Sequence, residues 1–328
     1  MRRWHKIVAA VSGLLAIVYV GNASWAFGTP GTPVIVSHLG LEQRFDERGI
    51  SLYDCKNDRM LPPTHGYLDN TIPSVAKAFE LGAGSVNIDI HPTSDGEFVV
   101  FHDWTVDCRT NGHGVTRDLP LATLKSFDIG YRLTADGGQT YPFRGKFVGA
   151  MPSLDEVLRA FPGRAFTLVI KSKDIHEADL LLAYLRRHHA DFARISVFGG
   201  DPPVQRLRQL MPHLRASSEQ SVKGCLTRYL ALGWTGIVPE NCRNAIVPVP
   251  FNYRKLAWGW PNLFAERLRA VNSQLLLVGI YERHSDKPGM NMVNSDELAA
   301  LPQDYSGAVF ADRMEIIGPA ARSRGWVR

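Results

Sequence analysis

Eight short apolar runs, separated by stretches of helical spacing, constrain the fold of this chain more than any other feature. The runs are Val34–Ser37, Val86–His91, Phe166–Ile170, Ile195–Phe198, Leu214–Ser218, Gly236–Val238, Leu275–Ile280 and Gly307–Phe310. Each has the length and residue types of a strand. Helix entries fall between them. Asn70-Thr71 precedes Ile72, Val75 and Phe79 at helical spacing, with Pro73 in the first turn and Gly82 past the end. Ser153-Leu154-Asp155-Glu156 is a capping box, Asp174 with Glu177 repeats the arrangement, and Asp201-Pro202 opens a further helix. Alternation of strand and helix predicts a parallel α/β architecture, and eight repeats predict a closed (β/α)8 barrel of the TIM type rather than an open sheet. Residues 41–67 and 104–150 are longer than ordinary barrel connections and carry Gly, Pro and aromatic residues. They are expected to be extended active-site loops rather than further domains.

The amino-terminal residues stand outside that pattern. Arg2, Arg3 and Lys6 precede an apolar run, and no charged side chain appears again until Glu42. Residues 1–27 therefore read as a targeting segment, leaving 28–328 as the barrel domain. Two versions remain open: a secretory signal with small residues Ser24 and Ala26 before a cut near Ala26, or an uncleaved helix from Ile7 to Phe27 long enough to span a bilayer. Either keeps the basic end in the cytoplasm and exports the rest to the periplasm, the extracellular space or the outer face of the cytoplasmic membrane. Without Arg2, Arg3 and Lys6 the chain has 34 basic against 32 acidic side chains, and no basic stripe of the kind nucleic-acid binding needs. Export favours pairing of the four cysteines. Cys225 with Cys242 and Cys55 with Cys108 are the natural pairs, although four cysteines allow three connectivities.

Chemistry concentrates in residues 87–103. Asn87, Asp89 and His91 alternate with Ile88 and Ile90, so a strand puts the three polar side chains on one face. Asp95-Gly96 supplies a turn, and the return run Phe98–Phe101 ends at His102-Asp103. In a barrel, active sites sit at the carboxyl ends of the strands, where His38, Asp89, His91 and Lys171 all fall.

The ordered elements Ser37-His38-Leu39-Gly40, Leu68-Asp69-Asn70-Thr71, Asn87-Ile88-Asp89, Thr93-Ser94-Asp95-Gly96, Phe101-His102-Asp103, Met151–Leu158 and Val169-Ile170-Lys171 resemble the glycerophosphodiester phosphodiesterase family. The likeness runs over residues 34 to about 174; beyond it only the strand and helix rhythm and Asp312 near the last strand agree. It implies that His38 and His102 are the two catalytic histidines, acting as general acid and base, and that Lys171 contacts phosphate. It also implies a divalent cation, calcium or magnesium. The family's three carboxylate ligands correspond here to Asn87, Asp89 and Val169, which leaves Asp89 and the Asn87 carbonyl as metal-ligating candidates. Leu39 replaces the family's arginine, removing a bidentate phosphate contact.

Three versions of the charge balance are open: a cation held by Asp89, Asn87 and a further group such as Asp69, Asp103 or Glu219; a metal-free site in which Lys171 or Arg109 is the cation; or a barrel that binds without turnover. The expected function is hydrolysis of glycerophosphodiesters to an alcohol and glycerol 3-phosphate, with weak or unusual metal dependence. The alternatives are a lyase similar to metal-independent phosphoinositide phospholipases C, and an inactive envelope binding protein. The expected partner is a small or lipid-derived phosphodiester, with membrane association through residues 7–27 if they are retained and no protein partner. Trp258-Gly259-Trp260-Pro261 reads as packing before it reads as a head-group pocket, His113 as a solvent-exposed turn residue, and His188-His189 as the close of a helix after Arg186-Arg187, where positive charge suits the helix dipole, and not as ligands. Gly-x-Ser-x-Gly and the P-loop are both absent, which disfavours serine hydrolases and nucleotide hydrolases.

Overall fold

The computed structural model describes residues 2–46, 55–282 and 292–327. Its strands are β1 (Val34–His38), β2 (Ser85–Pro92), β3 (Phe98–Val100), β4 (Ala165–Ile170), β5 (Ile195–Gly199), β6 (Arg215–Ser218), β7 (Ile246–Pro250), β8 (Gln274–Val278) and β9 (Ala308–Ala311). All but β3 lie parallel in the order β6-β5-β4-β2-β1-β9-β8-β7, and β3 returns antiparallel on β2. Helices cover the outside, giving the expected (β/α)8 barrel.

The two-residue period of the strands sorts the side chains. Val86, Ile88 and Ile90 of β2 face the main core under the helices, where all three are buried, while Asn87, Asp89 and His91 turn the other way. Val36, Leu276, Val278 and Phe310 form a smaller apolar cluster. Helix caps agree with the sequence: Thr71 and Ser153 each accept the N3 backbone N–H in a complete capping box. The Asp174 region differs. Asp174 accepts from the His176 N–H, and Ser172 bridges the Asp174 N–H and the buried Glu177.

One strand lies elsewhere than the apolar pattern indicates. Gly236–Val238 is not a strand, and its place is taken by Ile246–Pro250, a segment that Pro248 and Pro250 argue against. The barrel explains why the prolines are tolerated. Their neighbour Ile246 points its N–H toward β6, where Ser217 Oγ accepts it at 2.8 Å. By the two-residue period, Pro248 and Pro250 point their nitrogens the same way, so β6 and β7 meet along a seam instead of a ladder. Only the Ala216 N–H to Asn244 carbonyl bond, at 3.1 Å, joins the backbones close by. The full ladder of β7 runs to β8.

The long connections pack on each other. Met60, Leu68, Val106, Leu124, Ile129, Leu133, Phe143 and Met151 build a second apolar core with Val99 and Phe101 of the hairpin. Cys55–Cys108 ties the two connections together, and Cys225–Cys242 closes the other pair. Trp258 donates its indole N–H to the Leu230 carbonyl and Trp260 lies against Tyr305, so both tryptophans are packing residues.

Candidate active site

Local hydrogen bonds set the histidines in place. Beyond β1 the chain turns through Leu39 and Gly40 at φ of 55° and 86°. A Cβ on Gly40 would come within 2.6 Å of Ser74, so the turn requires glycine there. Leu39 is buried, its N–H on the Asn87 carbonyl and its carbonyl on the Asn70 N–H. The Phe101 N–H reaches the Asp89 carbonyl at 3.1 Å, which brings His102 to the end of β2. Lys171 comes directly after β4, and its Nζ lies 3.5 Å from Asp89 Oδ1.

Each histidine has Nδ1 fixed by a carboxylate: His38 on Glu42 at 2.6 Å, and His102 on Asp103 at 2.8 Å. A ring held in this way presents Nε2 for chemistry. Burial lowers the His38 imidazole, so it is neutral near pH 7. Burial also raises Glu42 to about 7, and raises Asp312 to about 8 with help from Glu42, to which it is hydrogen-bonded. Asp103 behaves oppositely. Burial works against its charge, but Arg109 outweighs burial and holds the carboxyl well below the usual range. Arg109 donates from Nε to Asp103 at 3.0 Å and from Nη1 to Asp69 at 2.8 Å. Asn70 Nδ2 reaches Asp69 at 3.4 Å, while Asn70 Oδ1 accepts the Asp89 N–H at 3.1 Å. His102, Asp103, Arg109, Asp69, Asn70 and Asp89 thus form one hydrogen-bonded chain. Burial also disfavours charge on Asp89, yet Lys171, His102 and His38 hold its carboxyl low. His91 is buried against Trp104 and pushed down to about 4, hence neutral.

Residues 60–194 match the model of the glycerophosphoryl diester phosphodiesterase family. Over that segment the chain is similar to this family. It is 37% identical over 106 residues to a glycerophosphodiester phosphodiesterase of Caldanaerobacter subterraneus, covering 32% of this chain and 40% of that one. With the enzyme of that name from Bacillus subtilis it shares 34% over 142 residues, 40% of this chain and 47% of the other. It therefore spans less than half the length of these relatives. In fold it is similar to a glycerophosphoryl diester phosphodiesterase domain from Mycobacterium tuberculosis, with a TM-score of 0.60 and 15% identity over 90% of this chain and 99% of that one. An Oleispira antarctica phosphodiesterase, solved with the product sn-glycerol-3-phosphate, gives 0.53 and 16% over 92% and 99%.

Glycerophosphodiester phosphodiesterases commonly use a divalent cation, and the side chains here offer little to hold one at the family's position. Asn87 and Asp89 are on one face of β2, but Asp89 Oδ1 looks to Lys171, only its Oδ2 is a buried oxygen without a partner, and Val169 of β4 brings no donor. A hard dication takes six or more oxygens and favours several anionic ones, so this set does not fit the family's site. Asp69 and Asp103 are no better placed, since both hold Arg109. That double pairing also removes Arg109 as a free cation for phosphate. Among the described residues, one trio of ligating side chains has its atoms within 4.8 Å of one another: His38, Glu42 and Asp312. Glu42 escaped the sequence reading because it lies in an irregular loop, where no strand or helix period marks which way a side chain points.

Proposed function

We propose that this protein is an exported phosphodiesterase that hydrolyses glycerophosphodiesters to an alcohol and glycerol 3-phosphate. The observation that carries the reading is the pair of carboxylate-held histidines beside Asp89 and Lys171 at the strand ends. Neutral His38, its Nδ1–H donated to Glu42, takes the proton of the attacking hydroxyl on Nε2. The new oxygen–phosphorus bond forms as the bond to the departing alcohol breaks, and His102 Nε2–H delivers a proton to the leaving oxygen. Lys171 lends positive charge to the phosphoryl oxygens, and the free oxygen of Asp89 receives the hydroxyl of a bound diester. The neighbouring glycerol hydroxyl or water serves as nucleophile; in the first case a cyclic phosphate forms, and water then opens it with the histidines in exchanged roles. No step is routed through a cation. The two disulfides and the apolar amino-terminal helix support placement in an oxidising compartment outside the cytoplasm.

The test is turnover of glycerophosphocholine and phosphatidylinositol by the full chain, with and without chelator, monitored by phosphorus NMR. Release of glycerol 3-phosphate that survives chelation and is lost in both His38→Ala and His102→Ala is the expected result. Cyclic phosphate as the sole end product would instead establish the lyase, for which the metal-poor strand site is the specific motive. Full activity in either histidine variant would overturn the two-histidine mechanism, and no turnover of any diester would leave a binding protein.

A further inference from the structure

The helix Arg2–Gly21 projects from the barrel with none of its apolar span, Arg3–Gly21, buried. Residues 22–29, by contrast, are built into the fold. Ser24 is buried, and its Oγ accepts the N–H of Asn262 at 2.9 Å and of Leu263 at 3.2 Å. It thereby caps the helix Asn262–Arg269 from more than two hundred residues away; that helix has no side-chain cap from its own preceding residue. Asn22 donates to the Trp234 carbonyl at 2.9 Å and accepts from Arg267 at 2.9 Å. Arg267 reaches on to Tyr229 and to the Gly233 carbonyl. At Gly28 a Cβ would fall 2.6 to 2.8 Å from Ser24 and Leu263, and Thr29 bonds Glu266. A cut near Ala26 would remove the cap and both Asn22 bonds together.

The place of this junction gives it a direction. Trp234 sits in the return from the helix Glu219–Leu232 to β7, and Gly31 bonds Asp304 ahead of β9, so both contacts mark the end of the barrel where strands begin. His38, Lys171 and Asp312 mark the other end. Trp25, Phe27, Leu232, Trp234 and Ile237 are exposed beside the emerging helix. Aromatic and aliphatic side chains at the foot of a spanning helix are the composition of a membrane interface.

We propose that the amino-terminal helix is retained as a membrane anchor and that residues 22–29 clasp the barrel so that its strand-entry end rests on the bilayer and its catalytic mouth faces the water. The occupant of the apolar collar is lipid, because the collar surrounds the exit of a helix of bilayer length. This orientation does not depend on the reaction assigned above. A mouth turned away from the membrane receives diesters dissolved in the aqueous phase.

The full chain, isolated from membranes and measured by intact mass, is expected to retain the Arg3–Gly21 helix. A soluble product beginning at Phe27 would overturn retention. In nanodiscs of phosphatidylethanolamine and phosphatidylglycerol, a photoreactive benzoyl-phenylalanine placed at Ile237 should form lipid adducts, whereas one at Val148, exposed on the long connection near the mouth, should not. Adducts at Val148 alone would reverse the orientation and overturn it. Ser24→Ala should lower the melting temperature by ~2–4 °C, the effect of losing one helix cap, with Ser24→Thr restoring it. An unchanged melting temperature in Ser24→Ala would refute the clasp.

Discussion

Replacing Arg109 by methionine isolates the energetics that hold His102 in place. The guanidinium is buried, as are Asp69 and most of Asp103, and it binds the two carboxylates at 2.8 and 3.0 Å while lying 5.5 Å over the Phe101 ring. Methionine fills much of the volume but leaves two buried carboxyls without a counter-charge. Breaking a buried ion pair from one side costs roughly 3–5 kcal/mol, which for a domain of this size lowers the melting temperature by roughly 6–20 °C. The pH dependence separates this from a simple packing defect. In the wild type, Asp103 is held low by Arg109, so its stabilisation is present above the unfolded carboxyl value of about 4 and lost as pH falls below it. In the variant, burial works against the Asp103 charge with only His102 and Lys171 left to oppose it, so its carboxyl lies higher than in the wild type. A raised folded value takes stability away at neutral pH and gives it back as pH falls through that value. The gap between the two proteins must therefore be widest near pH 7 and shrink toward pH 4.5. Urea unfolding of both in the same detergent, with disulfides intact, measures it. A loss under about 1 kcal/mol at pH 7, or a gap that widens on acidification, would refute the account of Arg109 as the counter-charge of this network.

Lys171→Met should keep the fold and lower kcat/KM by roughly 10²–10³, the usual effect of removing one group that stabilises transition-state charge, and steady-state kinetics on glycerophosphocholine decides it. Glu42 and Asp312, raised to about 7 and about 8, favour the folded state at low pH and lose that effect as pH rises from about 4 to about 8. Asp312→Asn should accordingly flatten the fall in stability over that window in chelator-treated protein; parallel curves would contradict it. Ser217→Ala orphans the Ile246 N–H at the β6–β7 seam and should cost about 1–3 kcal/mol in urea unfolding, whereas the exposed Ser126→Ala should be near neutral.

The barrel was legible in the chain because strand periodicity and helix caps are local. Val86, Ile88 and Ile90 alternate with Asn87, Asp89 and His91, and Thr71 and Ser153 cap with partners three residues away. Turn chemistry at Asp95-Gly96 brought the hairpin, and with it His102, to the end of β2. β7 was hidden because its prolines are acceptable only at a seam, a property of the closed sheet and not of the segment.

The order of motifs along the chain by itself determined the family pattern, the candidate histidines and Lys171, and the loss of carboxylates at Asn87 and Val169. Tertiary structure alone decided what those side chains meet. It spent Arg109 on Asp69 and Asp103, set Glu42 and Asp312 behind His38, and made Ser24 the cap of a helix far along the chain. The physical reason is range. Periodicity and capping act within a few residues of sequence, whereas buried charges and unsatisfied backbone donors find their partners wherever folding brings them.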